Sequence, residues 1–478
     1  MSEPILEPAA PAGGPRLGPE RVAFATVGCK ANLEEMECLA SRLADLGYAV
    51  VPFGEPADWT IVNTCTVTGE GDSDSRQAVR RARRFSPEGR LVVTGCLAQR
   101  DPRAVASLPG VDWVLGNAEK PRLAEWLVEH QSTQAESRRP APDPAATFSS
   151  REAMVRVSAD PTVDHFAEFG GSRQGRRTRA TLKVQDGCDQ HCTFCVIPSV
   201  RGASRSRALD DTLQQARQLL DSGYREIMLT GINSALWGRD LAEPLDLGDL
   251  LHRLLSLRGL ARLRLNSLEP QLVRDEWLAL MAEEPRLCRH LHLPLQSGSD
   301  RVLKQMNRRY TTAEYAHLVS RVRALLPDCA IGADVMVGFP GETDRDFADG
   351  VSFLESLGLA YLHVFSYSER PGTGAPRLSE GVPKQLRMAR SAQLRSLDAR
   401  LRANFARSQE GRCETVLIEG ACGAGAWQGL TGNYLRARFD SLRGSVGALH
   451  HVRLGALEPD GRIGALDLGP IPKEEQPE

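Results

Sequence analysis

The sequence of 478 residues lacks a charge excess of either sign, since 59 Lys and Arg stand against 61 Asp and Glu. A net charge of -2 gives no overall attraction to nucleic acid, so any phosphate contact must come from local patches. The chain also lacks a run of about 18 apolar residues, which excludes a typical membrane-spanning helix. Residues 1–20 lack the basic start and apolar stretch of a signal peptide and are rich in Pro, Gly, Ala and Glu. We therefore expect a disordered tail and a cytoplasmic protein whose thiols stay reduced.

The chain also lacks the even number of cysteines that a disulfide framework needs. The chain has 11 cysteines and is far longer than the short secreted domains that rely on such frameworks. Three of them, Cys188, Cys192 and Cys195, follow the pattern C-x-x-x-C-x-x-C. Three thiolates on a four-iron cube leave one iron open, which implies a chemical role. The alternative is a zinc knot with His191 as fourth ligand, although structural zinc usually takes its ligands as two separated pairs.

A second group of cysteines lies in the amino-terminal part of the chain. From Arg21 onwards, short apolar segments alternate with helix-like ones, which is typical of a parallel α/β domain. Cys29, Cys65 and Cys96 each follow directly on a predicted strand. Ligands of open parallel sheets bind at the carboxyl ends of the strands, so these cysteines should converge on another three-thiolate site. The alternative is three ordinary buried cysteines, a common environment for this residue.

A basic helix follows Cys65. At about 100° per residue, four arginines fall within an arc of ~100° and the apolar residues lie largely opposite. Such a face is usually only solvated, but here no acidic residue is interleaved, and phosphate contact is the functional interpretation. The predicted contacts are Arg76, Arg80, Arg83 and Arg84.

The sequence pattern in the middle of the chain predicts a barrel. Residues 131–173 are polar with clustered prolines and are interpreted as a linker. Over 174–408, six strand-like segments with helices between most of them predict a partial parallel barrel, whose active site should lie at the carboxyl ends of its strands. Arginines that could steer an anionic substrate precede the first strand: Arg173, Arg176, Arg177 and Arg179.

Polar residues follow several of these strands. Gly231 and Asn233 come after the second strand and Gln296 after the fourth, although plain turn chemistry explains the glycine segment equally well. His290 and His292 alternate on one strand and point the same way. Without a third ligand nearby, they fit a packed polar face better than a metal site.

The carboxyl-terminal part changes character. Residues 383–407 predict one long helix, 409–470 a small all-β module of short alternating strands, and 471–478 a tail. One segment of the module interleaves Asn, Tyr and Arg, which suits stacking on bases and contact with phosphates. The alternative is a plain β-barrel with scattered arginines. The predicted RNA contacts are Asn433, Tyr434, Arg436 and Arg438.

Taken together, three parts of the chain resemble the radical S-adenosylmethionine (SAM) methylthiotransferase family. The matching motifs are GCKAN at 28–32, NTCTVT at 63–68, TGC at 94–96, the Cys188 loop with IPSVRG at 197–202, and HLPLQSG at 292–298. The resemblance implies an α/β chain with an amino-terminal cluster domain over 21–130, a (βα)6 radical SAM core and a TRAM domain.

The resemblance also implies the cofactors. Cys188, Cys192 and Cys195 would hold a 4Fe-4S cluster that reductively cleaves SAM. The three amino-terminal cysteines would hold an auxiliary 4Fe-4S cluster that carries the sulfur. Attaching sulfur to an unactivated aromatic carbon removes a hydrogen that no side-chain base can take, so a cofactor-derived radical is needed. Gly231, Asn233 and Gln296 are expected around SAM.

Within that family the substrate is a modified adenosine beside the tRNA anticodon or an aspartate of a ribosomal protein. Lys30, directly after a cluster cysteine, and Ser75-Arg76-Gln77 resemble the subgroup that acts on N(6)-threonylcarbamoyladenosine. Arg201, Lys30 or a nearby arginine would contact its carboxylate. The expected partners are tRNA, an electron donor and a sulfur source. The alternatives are activity on isopentenyladenosine or on the ribosomal protein, or a nonenzymatic iron-sulfur or zinc protein that binds nucleic acid, which would not need such a barrel.

Overall fold

This computed structural model describes residues 18–136, 152–161, 166 and 177–472, with only the backbone for 131–136. Most of both predicted tails and of the predicted linker therefore lies outside the described residues, as do Arg173 and Arg176. Within the described residues, no helix is long and apolar enough to cross a membrane.

The amino-terminal part is a parallel sheet with helices between its strands. The strand order is β2-β1-β3-β4-β5-β6, and every neighbouring pair is parallel. Separate apolar clusters cover the two faces of the sheet, and every residue of the central strand β3 is buried. The elements are β1 (Arg21–Thr26), α1 (Lys30–Asp45), β2 (Ala49–Val51), β3 (Trp59–Thr64), α2 (Gly69–Phe85), β4 (Arg90–Gly95), α3 (Cys96–Arg100), α4 (Pro102–Ala106), β5 (Trp113–Leu115), α5 (Leu123–Glu136) and β6 (Met154–Arg156).

The predicted linker over residues 131–173 contains a strand, β6, that was not predicted. Met154–Arg156 falls inside 131–173 but pairs in parallel with β5 as the last strand of the sheet. Its ends are held by backbone hydrogen bonds from Met154 to Asp112 at 2.8 Å and from Gly116 to Arg156 at 2.9 Å. Three residues at a sheet edge give too short a pattern to stand out from a polar segment.

The middle part forms the predicted partial barrel. Its six main strands lie in two three-stranded parallel sheets, β11-β10-β7 and β12-β13-β14, joined by single bridges such as Ser267 to His292. The elements are β7 (Ala180–Lys183), β8 (Gln185–Asp186), α6 (Ile197–Arg201), β9 (Arg205–Ser206), α7 (Leu209–Asp221), β10 (Glu226–Thr230), α8 (Leu247–Leu255), β11 (Arg262–Arg264), α9 (Asp275–Glu283), β12 (His290–His292), α10 (Asp300–Gln305), α11 (Thr312–Leu325), β13 (Ala330–Val337), α12 (Asp344–Ser356), β14 (Tyr361–Ser366) and α13 (Lys384–Ser408).

Side chains alternate between the two faces of each barrel strand. On β13, the odd-numbered residues from 331 to 337 belong to the large core cluster shared with the helices. Because side chains alternate along a strand, Gly332, Asp334 and Met336 face the barrel interior. The outer face is therefore the hydrophobic core, and the inner face carries polar groups.

The carboxyl-terminal module is a closed barrel in the order β15-β16-β17-β19-β18. It is docked on the main barrel by Arg262 and Arg264 of β11, which both pair with the buried carboxylate of Glu226. The two guanidinium groups also donate to module carbonyls, at 3.0 Å to Leu430 and 2.9 Å to Gly432. The module strands are β15 (Cys413–Gly423), β16 (Ala426–Thr431), β17 (Arg436–Asp440), β18 (Leu449–Leu457) and β19 (Ile463–Pro470). The predicted fold class is confirmed in each of these three parts.

Candidate active site between two cysteine triads

The first group of thiols, here called the barrel triad, consists of Cys188, Cys192 and Cys195. All three lie half-buried in the loop between β8 and α6. The loop turns back at Gly187, whose φ is 71° and where a Cβ would lie 1.8 Å from the carbonyl oxygen of Ala203. Only glycine fits there, so the chain itself fixes the point where the loop leaves the strand.

The barrel triad lies in a protein environment that disfavours free thiolates. Burial, together with the charges of the neighbouring sulfurs, raises the pKa of Cys188 to about 11 and the pKa of Cys195 to about 12. The charge of Arg308, which donates to the Cys192 sulfur at 3.4 Å, offsets part of this effect at Cys195. A bound metal centre would supply the remaining positive charge, because coordination deprotonates a thiol outright.

The second group, here called the amino-terminal triad, consists of Cys29, Cys65 and Cys96. Cys29 caps the start of α1, Cys65 follows β3, and Cys96 opens α3 directly after β4. These are neighbouring strands, so the predicted convergence at their carboxyl ends is seen in the structure. Burial, together with the charges of the other two sulfurs, raises the pKa of Cys65 to about 11.

Two glycines make room for the amino-terminal triad. Gly28 has a φ of 99°, and a Cβ there would lie 2.7 Å from the Cys65 sulfur. Gly95 has a φ of 96°, and a Cβ there would lie 2.5 Å from the carbonyl oxygen of Thr64. Both the left-handed backbone and the close approach require glycine next to the cysteine.

Both triads are too wide for a single metal ion. Among the described residues, the only group of three ligand atoms within 4.8 Å of one another contains no cysteine. Sulfurs around one tetrahedral zinc would lie about 3.8 Å apart, given a Zn–S bond of about 2.3 Å. The side chain of His191, the alternative fourth zinc ligand, is exposed. The spacing therefore fits three corners of a larger metal cluster better than a zinc knot.

The two triads share one apolar cluster. Cys96 packs with Val196, Ile197 and Val200, the residues that follow the barrel triad in the chain, and Cys188 and Cys195 pack against the same cluster. Both candidate cluster sites therefore border the same apolar cluster.

A buried charge network, here called the interface network, fixes the two parts relative to each other. Glu35 of α1 lies 2.6 Å from Lys120, 2.7 Å from Lys183 and 3.0 Å from Arg201. Asp186 pairs with Lys183 at 2.9 Å and with Arg201 at 2.8 Å. Because Arg201 is only 1% exposed and committed to two carboxylates, the prediction that it might contact the substrate is wrong.

The residues predicted around SAM lie near the barrel triad and include buried polar atoms without a partner. Asn233 is 5% exposed, and neither atom of its side-chain amide has a hydrogen-bond partner among the described residues. Gln296 adopts a φ of 69°, and its buried Oε1 likewise lacks a partner. Such orphaned groups call for a ligand, and the ammonium, carboxylate and hydroxyl groups of SAM can satisfy them. Gly231 packs against Gln185, whose Oε1 would lie 3.0 Å from an added Cβ and accepts from the backbone N–H of Asn233 at 2.7 Å.

Lys30 reaches from the amino-terminal triad into the barrel. Its ammonium lies 3.2 Å from Asn266 Oδ1 and 3.3 Å from the Met228 sulfur. Burial, together with the charges of Arg179 and Arg264, lowers the pKa of Lys30 to about 8. Lys30 thus stays a cation at pH 7, and among the described residues its hydrogen-bond partners include no carboxylate.

The basic helix α2 presents three of its four predicted arginines outward. Arg80 and Arg84 are exposed and Arg76 is partly exposed, in a row with a spacing of four residues. The prediction for Arg83 is wrong, because its guanidinium folds back to pair with Asp112 at 3.0 Å and to cap the carbonyls of the following loop. The helical arc alone places all four arginines on one side of α2. Arg83 does not point outward with the other three, because it donates to carbonyl groups just after the end of the helix.

As on α2, only some of the predicted RNA contacts of the carboxyl-terminal module are accessible to a ligand. Arg436 is exposed, and Arg438 is partly exposed and 3.5 Å from Glu458. Asn433 is 1% exposed and hydrogen-bonded to Gln409, so its prediction as an RNA contact is wrong. Tyr434 has one face stacked on His290 of the main barrel, with ring centroids 4.3 Å apart, so its role is first of all in docking the module.

A cavity of about 430 Å³ lies where the partial barrel is left open. Strands β7 and β14 are the two outer edges of the partial barrel, and the carboxyl-terminal module covers the gap between them. The cavity is lined by two tyrosines and three arginines: Tyr361, Tyr434, Arg179, Arg402 and Arg436.

One polar cluster was not predicted. His292, Asp334 and His363 come together inside the barrel, although the sequence pattern connected His292 only with His290. The sequence signal that could have found this cluster is the presence of a polar residue within each of two predicted strands, Asp334 on β13 and His363 on β14. However, nothing in a linear pattern shows that two strands place such residues in register.

Two family models match the chain. The Radical SAM superfamily model covers residues 182–354, and the model described as uncharacterized protein family UPF0004 covers residues 21–116. The barrel triad lies in the first match and the amino-terminal triad in the second.

Similar proteins align with most of the chain. The threonylcarbamoyladenosine tRNA methylthiotransferase MtaB of Bacillus subtilis is 35% identical over 91% of this chain and 93% of its own. The ribosomal protein uS12 methylthiotransferase RimO of Geobacter sulfurreducens is 35% identical over 84% and 87%. The tRNA-2-methylthio-N(6)-dimethylallyladenosine synthase of Bartonella quintana is 33% identical over 87% and 89%.

A solved structure supports the fold. The radical SAM methyltransferase TsrM from Kitasatospora setae, with cobalamin and a [4Fe-4S] cluster bound, aligns with a TM-score of 0.54. It is 18% identical and covers 86% of this chain and 80% of that one, which is a likeness of fold alone. The full-length sequence relatives and the two cysteine triads establish that the chain belongs to the radical SAM methylthiotransferase family, whose cofactors are SAM and 4Fe-4S clusters.

Proposed function

We propose that this protein methylthiolates C2 of N(6)-threonylcarbamoyladenosine at position 37 of tRNA, beside the anticodon. Relatives of comparable identity are named for a threonylcarbamoyladenosine tRNA, a dimethylallyladenosine tRNA and a ribosomal protein, so family membership alone leaves the substrate open. The choice rests on the position of Lys30.

Lys30 offers a cation where the modified base must enter. It lies at the barrel wall directly after Cys29, and the charges that act on it are mainly repulsive. A substrate carboxylate at this position would relieve that repulsion through a charge-assisted contact worth roughly 1.5 to 3 kcal/mol. The threonylcarbamoyl group carries such a carboxylate, whereas an isopentenyl group has no charge. The charge of Lys30 thus supports the threonylcarbamoyl substrate.

The two triads divide the chemistry. The barrel triad would hold the cluster at which SAM is reductively cleaved, and the amino-terminal triad would hold the cluster that carries the sulfur. When bound, these cofactors supply the carbon radical and the methylthio group that side chains cannot. The side-chain amide of Asn233 and the Oε1 of Gln296, which have no partner among the described residues, would orient SAM. The apolar cluster that contains Cys96 and Val200 would keep water away.

The tRNA would be held on several exposed cations. Arg76, Arg80 and Arg84 lie in a row on α2, and Arg436 and Arg438 lie on the module. The cavity at the open edge of the barrel between β7 and β14 adds the cations Arg179 and Arg402 to this surface. An electron donor and a sulfur source are the further partners that the reaction requires.

Mass spectrometry of tRNA nucleosides tests the substrate. A strain that lacks the gene should lose 2-methylthio-N(6)-threonylcarbamoyladenosine and keep both 2-methylthio-isopentenyladenosine and the modification of the ribosomal protein. Loss of either of the latter instead would assign the protein to a sister subgroup.

A matched pair of variants tests the role of Lys30. Complementation with Lys30→Ala should restore less than a tenth of the nucleoside, while Lys384→Ala, which removes an exposed lysine of α13, should restore all of it. In vitro, Lys30→Ala should still cleave SAM, because the barrel triad is untouched. Full activity of Lys30→Ala would contradict the proposed carboxylate contact.

A further inference from the structure

Three potential metal ligands converge on the inner face of the barrel. His292 lies on β12, Asp334 on β13 and His363 on β14, which are three adjacent strands. Asp334 is opposite His363 in the parallel register, and the ligand atoms of all three residues lie within 4.8 Å of one another. The rigid sheet, rather than a loop, sets their positions.

Their spacing matches the first coordination shell of a transition metal. Asp334 Oδ1 lies 2.9 Å from His292 Nε2 and 3.3 Å from His363 Nδ1. Two ligand atoms bound to one ion at about 2.0–2.1 Å are separated by about 3.0 Å at a right angle and about 3.4 Å at a tetrahedral angle. Two of the three separations between ligand atoms therefore already match those around a bound ion, and the third is below 4.8 Å.

We propose that His292, Asp334 and His363 bind one divalent transition-metal ion, of the Zn²⁺ or Fe²⁺ class, separate from the two cysteine triads. Two imidazoles and one carboxylate form the ligand set of open zinc and non-heme iron sites.

The surroundings of the three residues support binding. The second ring nitrogen of His292, Nδ1, lies 3.0 Å from the hydroxyl of Tyr361, which is the kind of outer contact that orients a metal-bound histidine. The side chain of His363 is 56% exposed, so an ion has a path to the site and keeps coordination positions open on that side. Because one carboxylate leaves the bound ion with a net positive charge, the open positions should take water, hydroxide or an anionic group.

The competing explanation is a purely structural hydrogen-bond triad, in which both imidazoles donate to Asp334. That arrangement uses the same distances but binds no metal. Measurement of metal content therefore decides between the two explanations.

The experiment uses the full chain with both iron-sulfur clusters reconstituted. After treatment with a weak chelator, the protein is equilibrated with Zn²⁺ alone, and zinc and iron are counted by mass spectrometry. We expect one zinc per chain with no loss of iron. His363→Ala and Asp334→Asn should weaken zinc binding by more than about 100-fold, since even outer contacts are worth about 10- to 100-fold.

Two further variants separate this site from other effects. His317→Ala removes an exposed histidine on α11 and should leave zinc binding unchanged. Tyr361→Phe should weaken it by about 10-fold if the hydroxyl orients His292. Melting temperatures show that each variant is folded, and anomalous diffraction at the zinc edge shows which atoms hold the ion.

Two results would overturn the proposal. One is an absence of zinc, or zinc that stays bound in both His363→Ala and Asp334→Asn. The other is anomalous density at the cysteine sulfurs instead of between β12 and β14. Neither result depends on the tRNA substrate, so the experiment tests this metal site independently of the proposed function.

Discussion

Replacement of Glu35 by Gln should loosen the joint between the two triads. The Glu35 carboxylate is 2% exposed and accepts from three cations, at 2.6 Å from Lys120, 2.7 Å from Lys183 and 3.0 Å from Arg201. Burial alone would raise the pKa of Glu35, but the charges of Arg201, Lys120 and Lys183 hold it well below its ordinary value. The variant leaves Asp186 as the remaining carboxylate for Lys183 and Arg201, while Lys120 loses its carboxylate partner.

The expected cost follows from the burial of the network. Removing one partner of a buried ion pair costs about 3–5 kcal/mol, because the other charge is left uncompensated. Burial already lowers the pKa of Lys120, so this lysine should lose its proton in the variant and limit the cost to about 3 kcal/mol. On a domain of this size that corresponds to a fall in melting temperature of roughly 6–12 °C.

Stability should also depend on pH in a defined direction. The pKa of Glu35 is lower in the folded than in the unfolded protein, so its contribution is fully present above pH ~4.5 and is lost as the pH falls further. The difference in melting temperature between wild type and Glu35→Gln should therefore persist from pH 5 to 8 and shrink in more acidic buffer.

Thermal melting under anaerobic conditions, followed by tryptophan fluorescence and by cluster absorbance, measures the effect. Glu88→Gln, at an exposed position after α2, is the control and should melt with the wild type. Because the network joins α1, which begins after Cys29, to the strand that leads to the barrel triad, the variant should lose more sulfur transfer than SAM cleavage. A melting temperature within 1 °C of the wild type would refute this account of the interface.

Further predictions concern the clusters, the substrate and the tRNA. The protein purified without oxygen should hold about eight irons; Ala replacements throughout the barrel triad should halve the iron and abolish SAM cleavage, whereas those in the amino-terminal triad should stop only sulfur transfer. Since the pKa of Lys30 is lowered to about 8, the kcat/KM for the threonylcarbamoyl substrate should fall above that pH, and Lys30→Arg should move this limit upward. Arg80→Ala and Arg84→Ala should each reduce the log-log salt slope of tRNA binding by a little under one, while Arg83→Ala should instead destabilise the loop after α2. Gly187→Ala should abolish assembly of the barrel cluster, as measured by iron content, because the added Cβ overlaps the backbone at Ala203.

Several errors of the sequence-based interpretation have one origin. The sequence predicts substrate contacts for Arg83 from its helix face, for Asn433 from the composition of its segment, and for Arg201 as a cation in a family motif. In the structure each is held by groups far away in the chain, such as Asp112, Glu35 and Gln409 respectively. Periodicity shows which face of a helix or strand a residue occupies, but not which partner covers that face.

The sequence by itself determined the three-part fold and the two groups of three cysteines that the structure brings together. Strand and helix periodicity is local, the spacing of the barrel triad is confined to one loop, and parallel strands always bring their carboxyl ends to one edge. Only the tertiary structure decided which polar side chains meet across strands and between domains. The interface network around Glu35 and the cluster of His292, Asp334 and His363 join residues up to 166 positions apart. Their contacts depend on strand register and domain docking, which the packing of the whole chain sets and no local pattern records.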